Sequence, residues 1–199
     1  MSATPRGITI ASRNEGKLAE LRALSNGRLD LVPMPSSPAP PEVEEDGDTY
    51  EANALAKARA ISRHVGGPAL ADDSGLEVDA LEGRPGVRSA RYGGAGLDDG
   101  ARCRRLLDEI DGRPDRGARF VCVLALVDGG REVLARGVLE GVIARAPRGD
   151  SGFGYDPVFV PDGLGGRTFA EATVEEKNRI SHRARAMTAL IERLDAAPR

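Results

Sequence analysis

The sequence predicts a mixed α/β fold, in which helices cover the faces of a sheet that is not purely parallel. Three observations point there. Strand-like and helix-like segments alternate over the first half of the chain. Residues 118–127, ARFVCVLALV, are apolar at both parities, which marks a central strand covered on both faces. Asp128-Gly129-Gly130 is a hairpin signal, and 131–143 returns as a further strand.

Each element follows in order. GITIAS at 7–12 reads as a short buried strand. Leu18, Leu21 and Leu24 then recur at helical spacing, with Asn14 placed to cap that helix. Pro33, Pro35, Pro38, Pro40 and Pro41 exclude a helix or central strand, so 33–41 is an extended loop. An acidic run follows: Glu42, Glu44, Glu45, Asp46 and Asp48. Asp48 and Glu51 resemble a capping box ahead of an alanine-rich helix over 49–64.

PALADD at 68–73 reads as a strand running into two carboxylates. GLEVDAL at 75–81 alternates apolar and acidic residues, as a half-exposed strand or a loop-to-strand segment does. Glycines and Pro85 make 83–96 a loop, and 98–110 is a helix carrying Cys103, Leu106, Leu107 and Ile110. Residues 147–168 form a second long loop region. Thr173 with Glu176 starts the last helical region, with Ser181 as an alternative N-cap. Ile180, Ala184, Met187, Ile191 and Leu194 keep helical spacing and should pack on the core.

Composition narrows the function. The chain is 40% hydrophobic and 30% charged, which fits neither a disordered protein nor a membrane protein. No long apolar run occurs, and MSATPRGITIASRN lacks the shape of a signal peptide. The net charge of −3 lacks the basic surplus of a duplex-binding protein, so neither nucleic acid nor membrane is expected as a partner. Cys103 and Cys122 are too few for a disulfide scaffold or a thiolate metal cluster and favour a reduced, cytoplasmic setting. Lys17, Lys57 and Lys177 stand out because arginine is the default base of this chain.

Five segments carry chemistry. Ser12-Arg13-Asn14-Glu15-Gly16-Lys17 lies between a strand and a helix, where free N–H groups suit phosphate, although an ordinary capped turn explains it as well. Glu44 and Glu45 are either a solvated charge run or ligands for a hard cation. Asp72 and Asp73 end an apolar strand, where adjacent side chains point to opposite faces, so at most one need face a site. That one could hold a metal and orient or deprotonate water; the competing reading is turn and cap chemistry. Gly152-Phe153-Gly154-Tyr155-Asp156-Pro157 sets aromatic rings between glycines, either to stack on a flat ligand or to plug a loop. Lys177, His182 and Arg183 form a cationic cluster near a helix start.

Together the segments ITIASRNEGKLAEL, EEDGDTYEANALAKA, ALADDSGLEVDALEGRPGVRSARY, GFGYDPVF and EEKNRISHRARA resemble, in this order, the inosine triphosphate pyrophosphatase family. The likeness runs from about Ile8 to Leu190. It implies one nucleoside triphosphate pyrophosphatase domain over 1–199, an elongated mixed sheet, two lobes with a cleft between them, and a homodimer. The implied reaction splits the α–β phosphoanhydride of inosine, deoxyinosine or xanthosine triphosphate with Mg²⁺. Motif by motif, Ser12, Arg13, Asn14, Glu15, Gly16 and Lys17 would hold phosphates. Asp73 would be general base and metal ligand, with Glu44 or, as the close alternative, Glu45 as second metal carboxylate. Ser74 would touch substrate. Phe153, Gly154, Tyr155 and Asp156 would line the base pocket, and Lys177, His182 and Arg183 would meet base and phosphates. Arg13 departs from the glycine that many members have there.

Overall fold

The computed structural model describes residues 7–94 and 96–196; the first six residues of the N-terminal segment, Ala95 of the 83–96 loop and the last three residues lie outside them. The chain runs β1 (Ile8–Ile10), α1 (Glu15–Ser25), β2 (Leu31–Pro33), α2 (Tyr50–Val65) and β3 (Ala69–Val78). It continues with α3 (Asp99–Glu109), β4 (Gly117–Asp128), β5 (Arg131–Ile143), β6 (Phe159–Pro161), α4 (Val174–Ile180) and α5 (His182–Ala196). The strands form a six-stranded sheet in the order β2-β1-β3-β4-β5-β6. β1 is parallel to β2 and to β3, whereas β5 and β6 are antiparallel, so the sheet is mixed as expected.

The residues fall into two compact units. The first holds 7–73, 122–137 and 183–196 of the described chain, and the second holds 74–121 and 138–182. Strands β3, β4 and β5 each contribute residues to both. The first unit buries Ile10, Leu21, Leu70, Leu124, Met187 and Leu190 as one apolar cluster. The second buries Leu76, Leu106, Ile110, Leu139 and Ile143 around Phe120, Phe159 and Phe169. Phe120 and Phe159 meet edge to face at 4.6 Å, a favoured aromatic geometry.

Local chemistry explains most boundaries. Asn14 caps α1 by accepting from the Lys17 N–H at 3.0 Å. Thr173 and Glu176 form the capping box of α4. Several expectations are corrected. The cap of α2 is Thr49, whose hydroxyl accepts from the Ala52 N–H at 3.1 Å, not Asp48. The 68–73 and 75–81 segments are one strand, β3, followed by a short 3-10 helix at Asp79–Leu81. The 83–96 loop contains a 3-10 helix at Gly86–Arg91, and the 147–168 loop contains β6. The stripe Ile180 to Leu194 does not lie on one helix. The chain breaks at Ser181, so Ile180 packs on the second unit's core, while Ala186, Met187 and Leu190 pack in the first.

The fused β3 requires Gly75. A Cβ there would lie 2.2 Å from the Gly86 carbonyl oxygen and 2.7 Å from Ser89 Oγ, so only glycine permits this approach. Ser89 Oγ accepts from the Leu76 N–H at 2.8 Å, which ties the Gly86–Arg91 turn to the strand.

Candidate active site

In the first unit, β3 carries Asp72 and Asp73 to two different sets of partners, as strand alternation requires. Asp72 is 2% exposed. Its Oδ1 accepts from Lys17 Nζ at 2.5 Å, and its Oδ2 accepts from Arg183 Nε at 3.0 Å and from Cys122 Sγ at 3.2 Å. Burial alone would raise the Asp72 pKa, but the Lys17 and Arg183 cations overcome it and hold the carboxyl well below its usual range. Arg183 also donates to Glu20 Oε2 at 2.9 Å. The burial that penalises its charge is outweighed by these two carboxylates, and its pKa rises.

Asp73 belongs to a different cluster. Lys57 Nζ, on α2, donates to Asp73 Oδ1 at 3.1 Å, to Glu45 Oε2 at 3.0 Å and to the Asp72 carbonyl at 2.8 Å. Asn53 Nδ2, one turn earlier, donates to Asp73 Oδ2 at 3.2 Å. Asn53 also holds the acidic loop, accepting from the Gly47 N–H at 2.9 Å. Burial pushes the Asp73 pKa up, and the nearby Glu45 charge adds to it, against the pull of Lys57. The result is a carboxylate whose proton affinity is above normal, beside a second carboxylate, with one ammonium between them. Glu45 is half-buried, whereas its neighbour Glu44 is exposed.

The 12–17 turn is built around the α1 cap. Ser12 Oγ accepts from the Asn14 N–H at 3.1 Å, and Glu15 and Gly16 open the helix. Arg13 extends toward the Pro-rich loop, where its Nη2 donates to the Pro40 carbonyl at 3.4 Å.

In the second unit, Asp156 organises the aromatic loop. Its Oδ2 accepts from the Phe153 N–H at 2.9 Å and from Lys177 Nζ at 2.6 Å. Lys177 Nζ lies 4.8 Å from the Phe153 ring centroid and 5.3 Å from that of Phe169, a cation held between two ring faces. Gly152 has φ +80°, and a Cβ there would lie 2.1 Å from Asp156 Oδ2, so a larger residue would expel this carboxylate. Tyr155 donates to the Ser89 carbonyl at 3.0 Å. His182 stacks on Phe120 at 4.6 Å. Ser74 follows Asp73 on β3.

Of the three cations expected to act together, Lys177 and His182 therefore lie in the second unit, while Arg183 is bound to Asp72 and Glu20 in the first. Asn53, Lys57 and Asp72 were not among the expected site residues. The signal for Lys57 was its rarity as a lysine, and for Asp72 its place beside Asp73.

Residues 8–193 match the model of the Ham1 family. A dITP/XTP pyrophosphatase of Symbiobacterium thermophilum is 51% identical over 193 residues, covering 95% of each chain. A HAM1 protein structure from Coxiella burnetii has TM-score 0.86 at 42% identity, covering 96% of this chain and 99% of its own. The nucleoside-triphosphatase / dITP/XTP pyrophosphatase structure from Mycobacterium abscessus has TM-score 0.75 at 51% identity, covering 93% of this chain and 98% of that one.

Proposed function

The chain belongs to the Ham1 family, and we propose that it hydrolyses the non-canonical purine nucleoside triphosphates ITP, dITP and XTP to the monophosphate and pyrophosphate. The observation that carries the reading is the pair of adjacent carboxylates in the middle of β3, one holding Lys17 and the other held beside Glu45 with a raised pKa.

The chemistry follows from these groups. Water attacks the α-phosphorus, the bond from that phosphorus to the α–β bridging oxygen breaks, and pyrophosphate leaves. Asp73 accepts the proton of the attacking water. Its elevated proton affinity suits a general base, and Asn53 and Lys57 fix its orientation. Lys17, anchored by Asp72, offers positive charge to the phosphate oxygens, with the 12–17 turn supplying N–H groups at the start of α1. Glu45 and Asp73 fit a hard cation, because two oxygen donors already share one positive charge there. Glu45, rather than the exposed Glu44, is the proposed partner of Asp73. Mg²⁺ bound to them would neutralise phosphate charge and polarise the reacting groups.

Base recognition is assigned to Phe153, Gly154, Tyr155 and Asp156 with Lys177 and His182. Phe153 offers a stacking face. Lys177 offers a donor to a 6-keto oxygen, where adenine would present an amino group instead. Arg183 is held by Asp72 and Glu20 and supports the Asp72 carboxylate that anchors Lys17. The chain is further proposed to work as a homodimer in the cytoplasm; among the described residues no helix is long and apolar enough to cross a membrane. Monomeric sedimentation at working concentration would overturn the dimer.

The test is a substrate panel with products identified. With Mg²⁺, dITP and XTP should yield the monophosphate and pyrophosphate, and excess EDTA should stop turnover until Mg²⁺ is restored. dATP should be poorer by ~10–100-fold in kcat/KM, the effect of one buried donor left facing another. Release of orthophosphate instead of pyrophosphate, or equal use of dATP, would refute the reading.

A further inference from the structure

We propose that Asp99 and Cys103, on one face of α3, are positioning residues for base recognition: they hold both peptide groups of Gly154 and so set how Phe153 and Tyr155 leave the loop. The inference rests on the reading of 153–156 as the base-recognition loop. It adds residues that neither the motifs nor the resemblance singled out.

The geometry is specific. Asp98 is the N-cap of α3, accepting from the Ala101 N–H at 2.6 Å, so capping does not require Asp99. The Asp99 carboxylate is directed elsewhere. Its Oδ2 accepts from the Gly154 N–H at 2.7 Å. Its Oδ1 accepts from Arg102 Nη1 at 2.7 Å, and Arg102 Nη2 donates to the Leu97 carbonyl at 2.8 Å. The carboxylate is therefore oriented from its far side. One helical turn after Asp99, the buried Cys103 thiol donates to the Gly154 carbonyl at 3.3 Å. Burial and the neighbouring Asp99 push the Cys103 pKa up to about 12, which keeps the thiol a donor.

Spacing of i and i+4 puts both side chains on the same face of the helix. They reach the N–H and the C=O of one residue, which belong to the two successive peptide planes around Gly154. Gly154 has φ +62°, and glycine has more backbone conformations open to it than any other residue. Fixing both planes removes that freedom where it matters, because one plane begins at Phe153 and the other ends at Tyr155. Tyr155 is anchored again by its hydroxyl on Ser89, and Phe153 by its N–H on Asp156. The Phe153 ring, which faces Lys177, is the group whose pitch depends on the Gly154 planes.

The experiment measures kcat and KM for dITP together with hydrogen exchange at the Gly154 amide. Asp99→Ala is expected to raise KM ~10-fold, as loss of a charge-assisted hydrogen bond does, with kcat little changed and Gly154 exchange accelerated. Asp99→Asn keeps the shape, weakens the acceptor and should shift KM less in the same direction. Cys103→Ser should retain the contact that Cys103→Ala loses. Asp98→Ala removes the helix cap and should lower thermal stability without moving KM. In a Phe153→Ala background, Asp99→Ala should add nothing further to KM. The proposal fails if Asp99→Ala leaves KM and exchange unchanged, if Asp98→Ala raises KM equally, or if the Asp99 effect persists in full without the Phe153 ring. A parent protein that does not turn over dITP would overturn the functional reading and the base role with it. The exchange measurement would still decide whether Asp99 holds the loop.

Discussion

Asp73→Asn is expected to lower kcat by ~10²–10⁴-fold, the usual worth of a general base, and by more where metal charge is lost as well. The fold should survive the change. The Asp73 pKa is raised by burial and by Glu45, so the native structure disfavours this charge relative to water. A neutral amide of the same shape removes that penalty. It keeps an acceptor for Lys57 Nζ, now 3.1 Å from Asp73 Oδ1, at the expense of the bond from Asn53 Nδ2, which would then face a second donor. The variant should therefore stay folded, with a modest loss of thermal stability, and still bind nucleotide. The measurement is single-turnover hydrolysis of dITP at saturating Mg²⁺, with thermal unfolding alongside. A folded Asp73→Asn protein within tenfold of the parent rate would remove Asp73 from the reaction.

The features legible in the sequence are those set by chemistry a few residues apart. The Asn14 cap and the Thr173–Glu176 box are local hydrogen bonds whose residue types mark them in the sequence. The long apolar β4 with its Gly-containing turn was equally clear, since burial on both faces leaves no other pattern. Short strands were not. β2 and β6 each span three residues, too few to show alternation, and each ends on a proline. β3 looked broken because Asp72-Asp73-Ser74-Gly75 reads as a turn. The strand runs through because distant groups satisfy the carboxylates: Lys17 and Arg183 for one, Asn53 and Lys57 for the other. Sequence spacing carries no trace of partners 55 and 111 residues away. The same limit explains Glu44 and Glu45, which are equivalent on paper and separate only when Lys57 reaches one of them. It also applies to Arg183, whose carboxylate partners Asp72 and Glu20 lie far from it along the chain.

Asp72→Ala should cost more stability than any other single change at the site. The side chain is buried with two cations against it, Lys17 Nζ at 2.5 Å and Arg183 Nε at 3.0 Å. Removing it leaves Arg183, itself 4% exposed, still beside Glu20 but stripped of its Asp72 partner. Breaking a buried pair from one side destabilises by ~3–5 kcal/mol, because the surviving charge stays desolvated. In a chain of this size that lowers the melting temperature by roughly 10 °C. Because the folded Asp72 pKa is depressed, its contribution is fully present at neutral pH and is lost only as pH falls below the ordinary carboxylate range. The loss should therefore be measured by denaturant unfolding near neutral pH, and the gap between parent and variant should close in acid. A cycle with Arg183→Met separates the charge from the packing. If Arg183 is the stranded cation, Asp72→Ala should cost markedly less in the Arg183→Met background. Activity gives an independent readout, since Lys17 loses its anchor: the folded fraction of Asp72→Ala should show a raised KM for dITP. A loss below ~1 kcal/mol, or one unchanged by Arg183→Met, would mean that Asp72 does not hold the two cations in place.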